Sequence, residues 1–302
     1  MIGFEAGEPL LDWLELTRAL EAGHHLPRPE IADTFLYRDP DTLLTRSALI
    51  DGMGMLVKAA TIFPGNPAAG AAAVNGAVNL FSDATGMLEA LIDFHLVTKW
   101  KTAGDSLLAA QRLARPDSRS ILIIGAGTVG RSLREAYGAA FPEARFTVWN
   151  RSPEGAERLA QDYRDTEAVR DLEWAVEGAD IVTSATMTTA PLIRGEWLHP
   201  GQHIDLIGAY RADMREADDA ALLRARVFVD SRETTLGHIG ELMIPLREGV
   251  ISPEHVVADF YDLPAGRFAR QGDDEITLFK NGGGAHLDLM TSRYILDAWR
   301  AR

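Results

Sequence analysis

The chain has 302 residues, of which 46% are hydrophobic and 25% are charged, a composition typical of a globular protein with room for two domains. Its formal net charge of -14 argues against nucleic acid and anionic membranes as partners, because both bind basic surfaces. The chain contains no cysteine, which excludes disulfides, thiolate catalysis and cysteine-ligated metals and fits a reducing cytoplasm.

Three further classes are disfavoured by local patterns. The N-terminal stretch MIGFEAGEPLLDWLEL is acidic and lacks a basic region followed by an apolar one, so we expect no secretory signal. No apolar run approaches the roughly 18 residues that a spanning helix needs. The 8 histidines follow no metal-binding spacing. We therefore expect a cytoplasmic protein that acts on a small molecule and has no metal site.

The first third of the chain predicts a leading helix followed by a mostly antiparallel sheet. Leucines recur at helical spacing within residues 1–25. Strands are predicted at residues 35–37, 43–45, 53–63, 77–81 and 87–92. The third strand places Lys58 in the middle of an apolar run, and buried lysines are rare unless they are paired or functional. Lys58 is therefore a candidate functional residue, with a structural ion pair as the alternative.

A glycine-rich stretch between two strand-like runs is the most informative motif. The apolar run 121–124 precedes Gly-Ala-Gly-Thr-Val-Gly at 125–130, and a helical pattern and a second strand at 145–149 follow. In such a unit the glycines permit a tight turn and close approach to a pyrophosphate, which the helix N-terminus binds. The expected cofactor-binding residues here are Gly125, Gly127, Thr128, Val129 and Gly130. A purely structural turn is the alternative.

The end of the second strand indicates which dinucleotide is preferred. NAD sites usually have a carboxylate there, which accepts a hydrogen bond from the ribose 2′-hydroxyl. This chain has Asn150, Arg151 and Ser152, and a guanidinium with a hydroxyl suits a 2′-phosphate. We predict NADP(H) as the preferred cofactor and NAD(H) as the second option. The alternative is that Arg151 is a solvated residue at a helix start.

The rest of the chain predicts an α/β domain of the Rossmann type. A long helix at 96–114 leads into the glycine-rich unit, and a last helix is predicted at 286–299. Further strands at 180–184, 203–207, 226–230 and 275–279 alternate with other segments, which predicts a doubly wound parallel sheet. Loops at the carboxyl edge of such a sheet bind ligands. Cofactor contacts are therefore expected from Ala185, Thr186, Met187, Ile207, Gly208 and Lys280.

Several ordered motifs resemble the ornithine cyclodeaminase and mu-crystallin family, from about Arg28 to the end of the chain. They are LVTKWKTAGDSLLAAQRLARPDSRSILIIGAGTVGRSL, FTVWNRS, GADIVTSAT, HIDLIGAYRADMREADD, VFVDSRETTLGHIGEL and EITLFKNGGGAHLDL. The resemblance implies a homodimer in which a Rossmann domain, residues 114–285, accompanies an α+β domain for substrate binding and dimerisation, residues 1–113 with 286–302. It also implies a small amino or imino acid substrate bound over the nicotinamide.

The resemblance also implies which residues bind the substrate. The family's lysine falls on Lys58, and its carboxylate-binding arginine falls on Arg28. Its R-T-A-A helix start falls on Lys101 and the next residues, so lysine replaces arginine and bidentate carboxylate recognition is weakened. Arg46 could restore the missing guanidinium, with a surface role as the alternative. We expect Arg28 and Lys101 to bind the substrate carboxylate, and Lys58 to bind substrate and to deliver a proton.

The residues after Gly208 separate the activities of the family. Ornithine cyclodeaminases carry an aspartate two residues beyond this glycine, whereas this chain has Tyr210. The stretch GAYRADMREADD is similar to that of the ketimine reductases. The resemblance therefore implies NADPH-dependent reduction of Δ1-pyrroline-2-carboxylate or Δ1-piperideine-2-carboxylate to L-proline or L-pipecolate. The alternatives are an ornithine cyclodeaminase or amino-acid dehydrogenase, and a non-catalytic NADP-dependent protein that holds a small ligand.

Overall fold

The computed structural model describes residues 1–302, which form two compact units. The first unit comprises Met1–Lys101 and Gly284–Arg302, and the second comprises Thr102–Gly283. The expected domain boundaries lie after residues 113 and 285, whereas the observed ones lie after Lys101, inside the long helix Phe94–Leu113, and after Gly283. A continuous helix has no turn residues that could mark a division along it.

Thirteen strands form two separate sheets. The first sheet contains β1 Glu30–Arg38, β2 Asp41–Ile50, β3 Gly54–Ile62, β4 Val74–Phe81 and β5 Leu88–Asp93. The second sheet contains β6 Ser120–Ile124, β7 Arg145–Trp149, β8 Thr166–Val169, β9 Ile181–Ser184, β10 His203–Leu206, β11 Arg226–Val229, β12 Val256–Asp259 and β13 Thr277–Lys280.

Ten α-helices accompany the sheets, and none of them is both long enough and apolar enough to span a bilayer. They are α1 Phe4–Gly7, α2 Trp13–His24, α3 Phe94–Leu113, α4 Thr128–Ala140, α5 Pro153–Gln161, α6 Leu172–Glu177, α7 Asp219–Arg224, α8 Arg232–Thr235, α9 Gly240–Arg247 and α10 Ala285–Arg300. Short 3-10 turns occur at Glu8–Leu10, Asn66–Ala69, Gly195–Trp197, Pro253–His255 and Phe260–Asp262.

The first unit is an antiparallel sheet covered by helices. Its strands lie in chain order, β1-β2-β3-β4-β5, and each is antiparallel to the next. Helix α10 packs against β2, β3 and α2. Asp12 caps the N-terminus of helix α2. Its carboxylate accepts hydrogen bonds from the N–H groups of Leu14 and Glu15, at 2.9 and 3.0 Å, which satisfies donors that have no partner within the helix.

The second unit is an eight-stranded parallel sheet with the order β12-β11-β13-β10-β9-β6-β7-β8. Strand β6 is apolar and buried along almost its whole length, as expected for a strand that is covered on both faces. Leu122, Ile124, Val182, Ile204 and Leu278 meet in its core. The predicted α/β class, with a parallel sheet and a second, antiparallel sheet in another domain, is confirmed.

The strand order brings the loops that matter for ligand binding to one edge. Strand β6 pairs with β7 on one side and with β9 on the other, so the chain reverses its direction of winding at this strand. In open parallel sheets ligands bind at such a switch point, beyond the carboxyl ends of the strands. The loops after β6, β7 and β9 therefore frame a candidate binding site within the second unit.

Candidate active site

The predicted glycine fingerprint forms a tight turn between β6 and α4. Gly125 has a φ of +105°, a conformation that side chains disfavour, and its N–H donates to the Trp149 carbonyl at 2.8 Å. A Cβ atom at Gly130 would lie 2.0 Å from the Gly125 carbonyl oxygen. Space and backbone conformation therefore require glycine at both positions.

A cavity of about 320 Å³ opens beside this turn. Eight of the predicted cofactor residues line it, namely Gly125, Gly127, Asn150, Arg151, Ser152, Ala185, Thr186 and Met187. The Asn150 side chain joins two parts of the wall: it accepts from the Ala126 N–H at 3.1 Å and donates to the Ser152 carbonyl at 2.9 Å. No side chain caps the N-terminus of α4 at Gly127, so this end of the helix offers N–H groups to an anion.

The remaining predicted cofactor residues do not line the cavity. Thr128, Val129 and Gly130 form the first turn of α4. Ile207 and Gly208 follow β10, and Gly208 approaches the loop after β9 so closely that a Cβ atom would lie 2.0 Å from the Thr186 carbonyl oxygen. Lys280 is fully buried at the end of β13, where its ammonium group donates to the Leu206 carbonyl at 2.9 Å, so it does not line the cavity.

A second site candidate, in the first unit, is a buried ion pair around Lys58. The Lys58 ammonium group donates to Asp288 Oδ1 at 2.8 Å and to Thr98 Oγ1 at 2.9 Å, and it lies 4.6 Å from the centroid of the Phe94 ring. Lys58 is 5% exposed and Asp288 is 0% exposed. The ion pair that was the alternative for Lys58 is thus observed, in a place from which water is largely excluded, and a functional role of Lys58 stays a prediction.

Two other predicted cationic residues lie near this pair. Arg46 is opposite Lys58 in the β2–β3 register, and it also forms an ion pair with Asp33 of β1 at 2.9 Å. Lys101 is buried on α3. Arg28, by contrast, is exposed and precedes β1 by two residues.

The charges of this cluster shift the pKa values of its members. Burial lowers the pKa of the Lys58 ammonium group; the charge of Asp288 opposes this shift, and Lys101 and Arg46 add to it. Burial acts to raise the pKa of the Asp288 carboxyl, but Lys58, Lys101 and Arg46 outweigh it, so that pKa is lowered. Asp288 is therefore a carboxylate at neutral pH, and three cations act on it.

Several site residues were not predicted from the sequence. Asp288 lies 230 positions from Lys58, and Thr98 lies 40 positions from it, so no local spacing connects them. Trp149, Thr188 and Leu192 also line the cavity. Trp149 is adjacent to the predicted cofactor stretch and Thr188 directly follows Met187, so proximity to predicted loops could have indicated both.

Comparisons with known proteins identify the family to which the chain belongs. The family model described as the ornithine cyclodeaminase/mu-crystallin family matches residues 45–302. A Δ1-pyrroline-2-carboxylate reductase from Paracoccus denitrificans is 53% identical over 292 residues, which cover 94% of this chain and 92% of that protein.

Solved structures are similar over almost the whole chain. A Δ1-pyrroline-2-carboxylate reductase from Thermococcus litoralis, in complex with NADH and L-proline, matches with a TM-score of 0.91 and 26% identity, covering 99% of this chain and 97% of that one. An archaeal alanine dehydrogenase dimer with bound NAD matches with a TM-score of 0.90 and 26% identity, covering 99% and 95%. The chain therefore belongs to the ornithine cyclodeaminase/mu-crystallin family, as its motifs predicted.

Proposed function

We propose that the chain is an NADPH-dependent imine reductase that converts Δ1-pyrroline-2-carboxylate or Δ1-piperideine-2-carboxylate to L-proline or L-pipecolate. The observation that carries the proposal is the buried Lys58–Asp288 pair with Lys101 and Arg46 close enough to lower the pKa of Asp288. A concentration of cationic groups in a place of low dielectric suits an anionic substrate, and a lysine with a lowered pKa suits proton transfer.

The cavity in the second unit fits a nicotinamide dinucleotide. A Cβ atom at Gly127 would meet nothing within 4 Å, so the start of α4 is open to a ligand, and a pyrophosphate there would be stabilised by its N–H groups and dipole. When bound, the cofactor supplies the hydride for the reduction. The residues that would hold it are the glycine turn after β6 and the loops after β7 and β9.

A preference for NADPH is supported by the side chains after β7. Arg151 and Ser152 line the cavity and are exposed, and no carboxylate lines it. A carboxylate would hydrogen-bond a ribose 2′-hydroxyl and repel a 2′-phosphate, whereas a guanidinium attracts the phosphate. We therefore assign Arg151 and Ser152 to the 2′-phosphate.

The cluster around Lys58 would hold the substrate and move its proton. An ammonium group has three N–H bonds, and Lys58 directs two of them at Asp288 and Thr98, which fixes the direction of the third. We assign that third N–H to the imine nitrogen, whose protonation makes the adjacent carbon electrophilic. Lys101 and Arg46 are assigned to the substrate carboxylate, and Arg28 stays a candidate contact.

Tyr210 argues against the cyclodeaminase alternative. It is 58% exposed in the loop after β10, beside the exposed Arg211. Its side chain is a phenol and not a carboxylate, so this position lacks the aspartate that the resemblance assigns to the cyclodeaminases.

We also propose that the chain forms a homodimer through β1. This strand has nine residues at the edge of the antiparallel sheet and is exposed along almost its whole length. Phe35 and Tyr37 stack on one face of β1, and they are 46% and 77% exposed. A long edge strand with exposed aromatic side chains favours association with another chain, and a second copy of this chain is the partner that we assign.

The purified chain should be assayed for loss of reduced-nicotinamide absorbance with each of the two cyclic imino acids. We expect turnover with NADPH, slower turnover with NADH, and no ammonia release from L-ornithine with NAD. Ammonia release without turnover of either imino acid would contradict the reductase and would favour the cyclodeaminase.

A further inference from the structure

A buried carboxylate, Glu216, connects the two loops that follow β9 and β10. Its Oε1 accepts from Ser184 Oγ at 2.6 Å and from the N–H and Oγ1 of Thr186, both at 2.8 Å. Its Oε2 accepts from the N–H groups of Gly208 at 2.5 Å and Ala209 at 3.3 Å. Each oxygen thus serves a different loop, and the carboxylate holds the two loops together.

The segment that carries Glu216 is itself firmly held. The N–H groups of Glu216 and Ala217 donate to the two oxygens of Glu241 at 2.7 and 3.0 Å. The Glu216 carbonyl accepts from the N–H groups of Leu192 and Ile193, both at 2.9 Å. Glu216, Glu241 and Lys280 are all 0% exposed. Burial raises the pKa of both carboxyl groups, and the charge of Lys280 opposes that shift. The position of the Glu216 side chain is therefore defined from several directions.

Filling the space that Glu216 occupies does not require a carboxylate. Burying a carboxylate is unfavourable unless hydrogen bonds and an opposite charge compensate for its lost hydration, and an apolar side chain would fill the same volume without that requirement. The five donors of Glu216 come from the ends of two strands and their loops, and one of those residues, Thr186, lines the cavity. Gly208 already contacts the Thr186 backbone closely, so a small movement of either loop would change the cavity wall.

We propose that Glu216 is a positioning residue that holds the loops after β9 and β10 in the geometry that binds the nicotinamide dinucleotide. The inference rests on the proposed function, because it takes the cavity to be the cofactor site. It assigns Glu216 no contact with the cofactor and no role in choosing between NADPH and NADH. Loss of this carboxylate should therefore weaken the binding of NADPH and of NADH by the same factor.

The variant Glu216→Gln tests the proposal with little change in volume. An amide has one acceptor oxygen and an NH2 group that cannot accept, so one of the two loops loses its hydrogen bonds. We expect the Kd values of NADPH and NADH, measured by fluorescence titration, to rise about 10-fold each, as for loss of a hydrogen bond to a charged group. We expect the KM for the cofactor to rise with them, while kcat at saturating cofactor falls much less.

A second measurement needs neither cofactor nor activity. In the protein without cofactor, amide hydrogen exchange should become faster in peptides that contain Thr186, Gly208 and Ala209, but not in those that contain β6. If Glu216→Gln does not fold, Ser184→Ala removes one donor to the same oxygen at a fully buried position outside the cavity lining. It should raise both Kd values in the same direction by a smaller factor.

The matched control is Asp205→Asn. Asp205 is also a fully buried carboxylate in the second unit, but it accepts hydrogen bonds from the side chains of Ser106, Tyr137 and Thr183 and not from the two loops. The variant Asp205→Asn should be less stable than the wild type and should have unchanged Kd values for NADPH and NADH.

The outcomes separate this inference from the proposed function. If the folded Glu216→Gln protein binds both cofactors like the wild type, or no more weakly than Asp205→Asn, the inference is wrong while the reductase assignment stands. If Glu216→Gln weakens the binding of NADPH but not that of NADH, the inference is also wrong. If the wild type binds neither nicotinamide nucleotide, the proposed function fails and this inference fails with it.

Discussion

The charge of Lys58 in an apolar strand is accommodated because Asp288 and Thr98 accept hydrogen bonds from it. Such a pair adds little net stability compared with apolar residues of similar volume, but removing one partner leaves an uncompensated buried charge. The contribution of Lys58 to stability and its proposed role in catalysis can therefore be separated by substituting Lys58 and Asp288 together.

For Lys58→Met we expect kcat for the imino acid to fall about 100-fold or more, because proton delivery is lost, with an unchanged Kd for NADPH. The free energy of unfolding should fall by about 3 to 5 kcal/mol, because the buried Asp288 carboxylate loses the ion-pair partner that donates a hydrogen bond to it. The double variant Lys58→Met/Asp288→Asn should recover much of that stability without recovering turnover. Denaturation curves and steady-state kinetics measure both effects, and full turnover in a folded Lys58→Met protein would contradict the role assigned to Lys58.

The second prediction at the residue scale concerns Arg151. Arg151→Ala should raise the Kd of NADPH about 10-fold, because a charge-assisted hydrogen bond to the 2′-phosphate is lost, and should leave the Kd of NADH unchanged. Titration of both cofactors against wild type and variant checks this. Arg158→Ala is the control, since Arg158 is an exposed arginine in the last turn of α5. If Arg151→Ala weakens the binding of NADPH and NADH equally, Arg151 does not contact the 2′-phosphate.

At the scale of elements, helices α2 and α10 bring two buried histidines together. His24 on α2 and His286 on α10 have ring centroids 5.6 Å apart, and the His24 Nδ1 bonds the Leu20 carbonyl at 2.7 Å. Burial lowers the pKa of His24 from 6.5 to about 4, and the bond to Leu20 opposes that shift only in part. Burial also lowers the pKa of His286 well below 6.5. Both rings are therefore neutral at pH 7.

This pair should make the first unit sensitive to acid. As the pH falls below 6.5, the unfolded chain takes up a proton at His24 before the folded chain does. The contribution of His24 to the free energy of unfolding therefore decreases until about pH 4 and stays constant at lower pH. The shift of the His24 pKa from 6.5 to about 4 corresponds to about 3 kcal/mol.

The variant His24→Gln should lose less stability over this pH range than the wild type. Denaturant unfolding at a series of pH values between 4 and 7 measures the difference. His95→Gln, which changes an exposed histidine of the same unit, should keep the pH dependence of the wild type. An unchanged dependence in His24→Gln would contradict the assignment of a neutral His24.

At the scale of the whole molecule, the exposed edge strand β1 is the feature on which the proposed homodimer rests. Sedimentation of the wild type should give twice the chain mass of 33.0 kDa. Tyr37→Asp should shift the equilibrium towards the monomer, because a charge on an apolar contact surface is costly to desolvate. Leu223→Asp changes another exposed apolar residue, on α7, and should leave the mass unchanged. A wild-type monomer at micromolar concentration would contradict the proposed dimer.

The sequence predicted strands with a clear apolar run, including the four-residue strands β9, β10, β11 and β13, and missed two strands at the edges of the parallel sheet. The run Ile121 to Ile124 and the hairpin of β4 and β5 follow from local periodicity and turn residues. Strands β8 and β12, with the sequences TEAV and VVAD, were not predicted, and they are the two edge strands of the parallel sheet. At the edges of the sheet, pairing with an existing neighbour defines such strands more than their own composition does.

What the sequence by itself determined is the glycine turn after β6, the side chains that follow β7, and the family, because each is carried by residues close together along the chain. Only the tertiary structure decided that Asp288 pairs with Lys58, that Glu216 joins the loops after β9 and β10, and that Lys280 is buried against the Leu206 carbonyl. A buried charge needs a partner, but nothing in local spacing says which distant residue provides it. That choice is made when strands and helices far apart in the chain pack together.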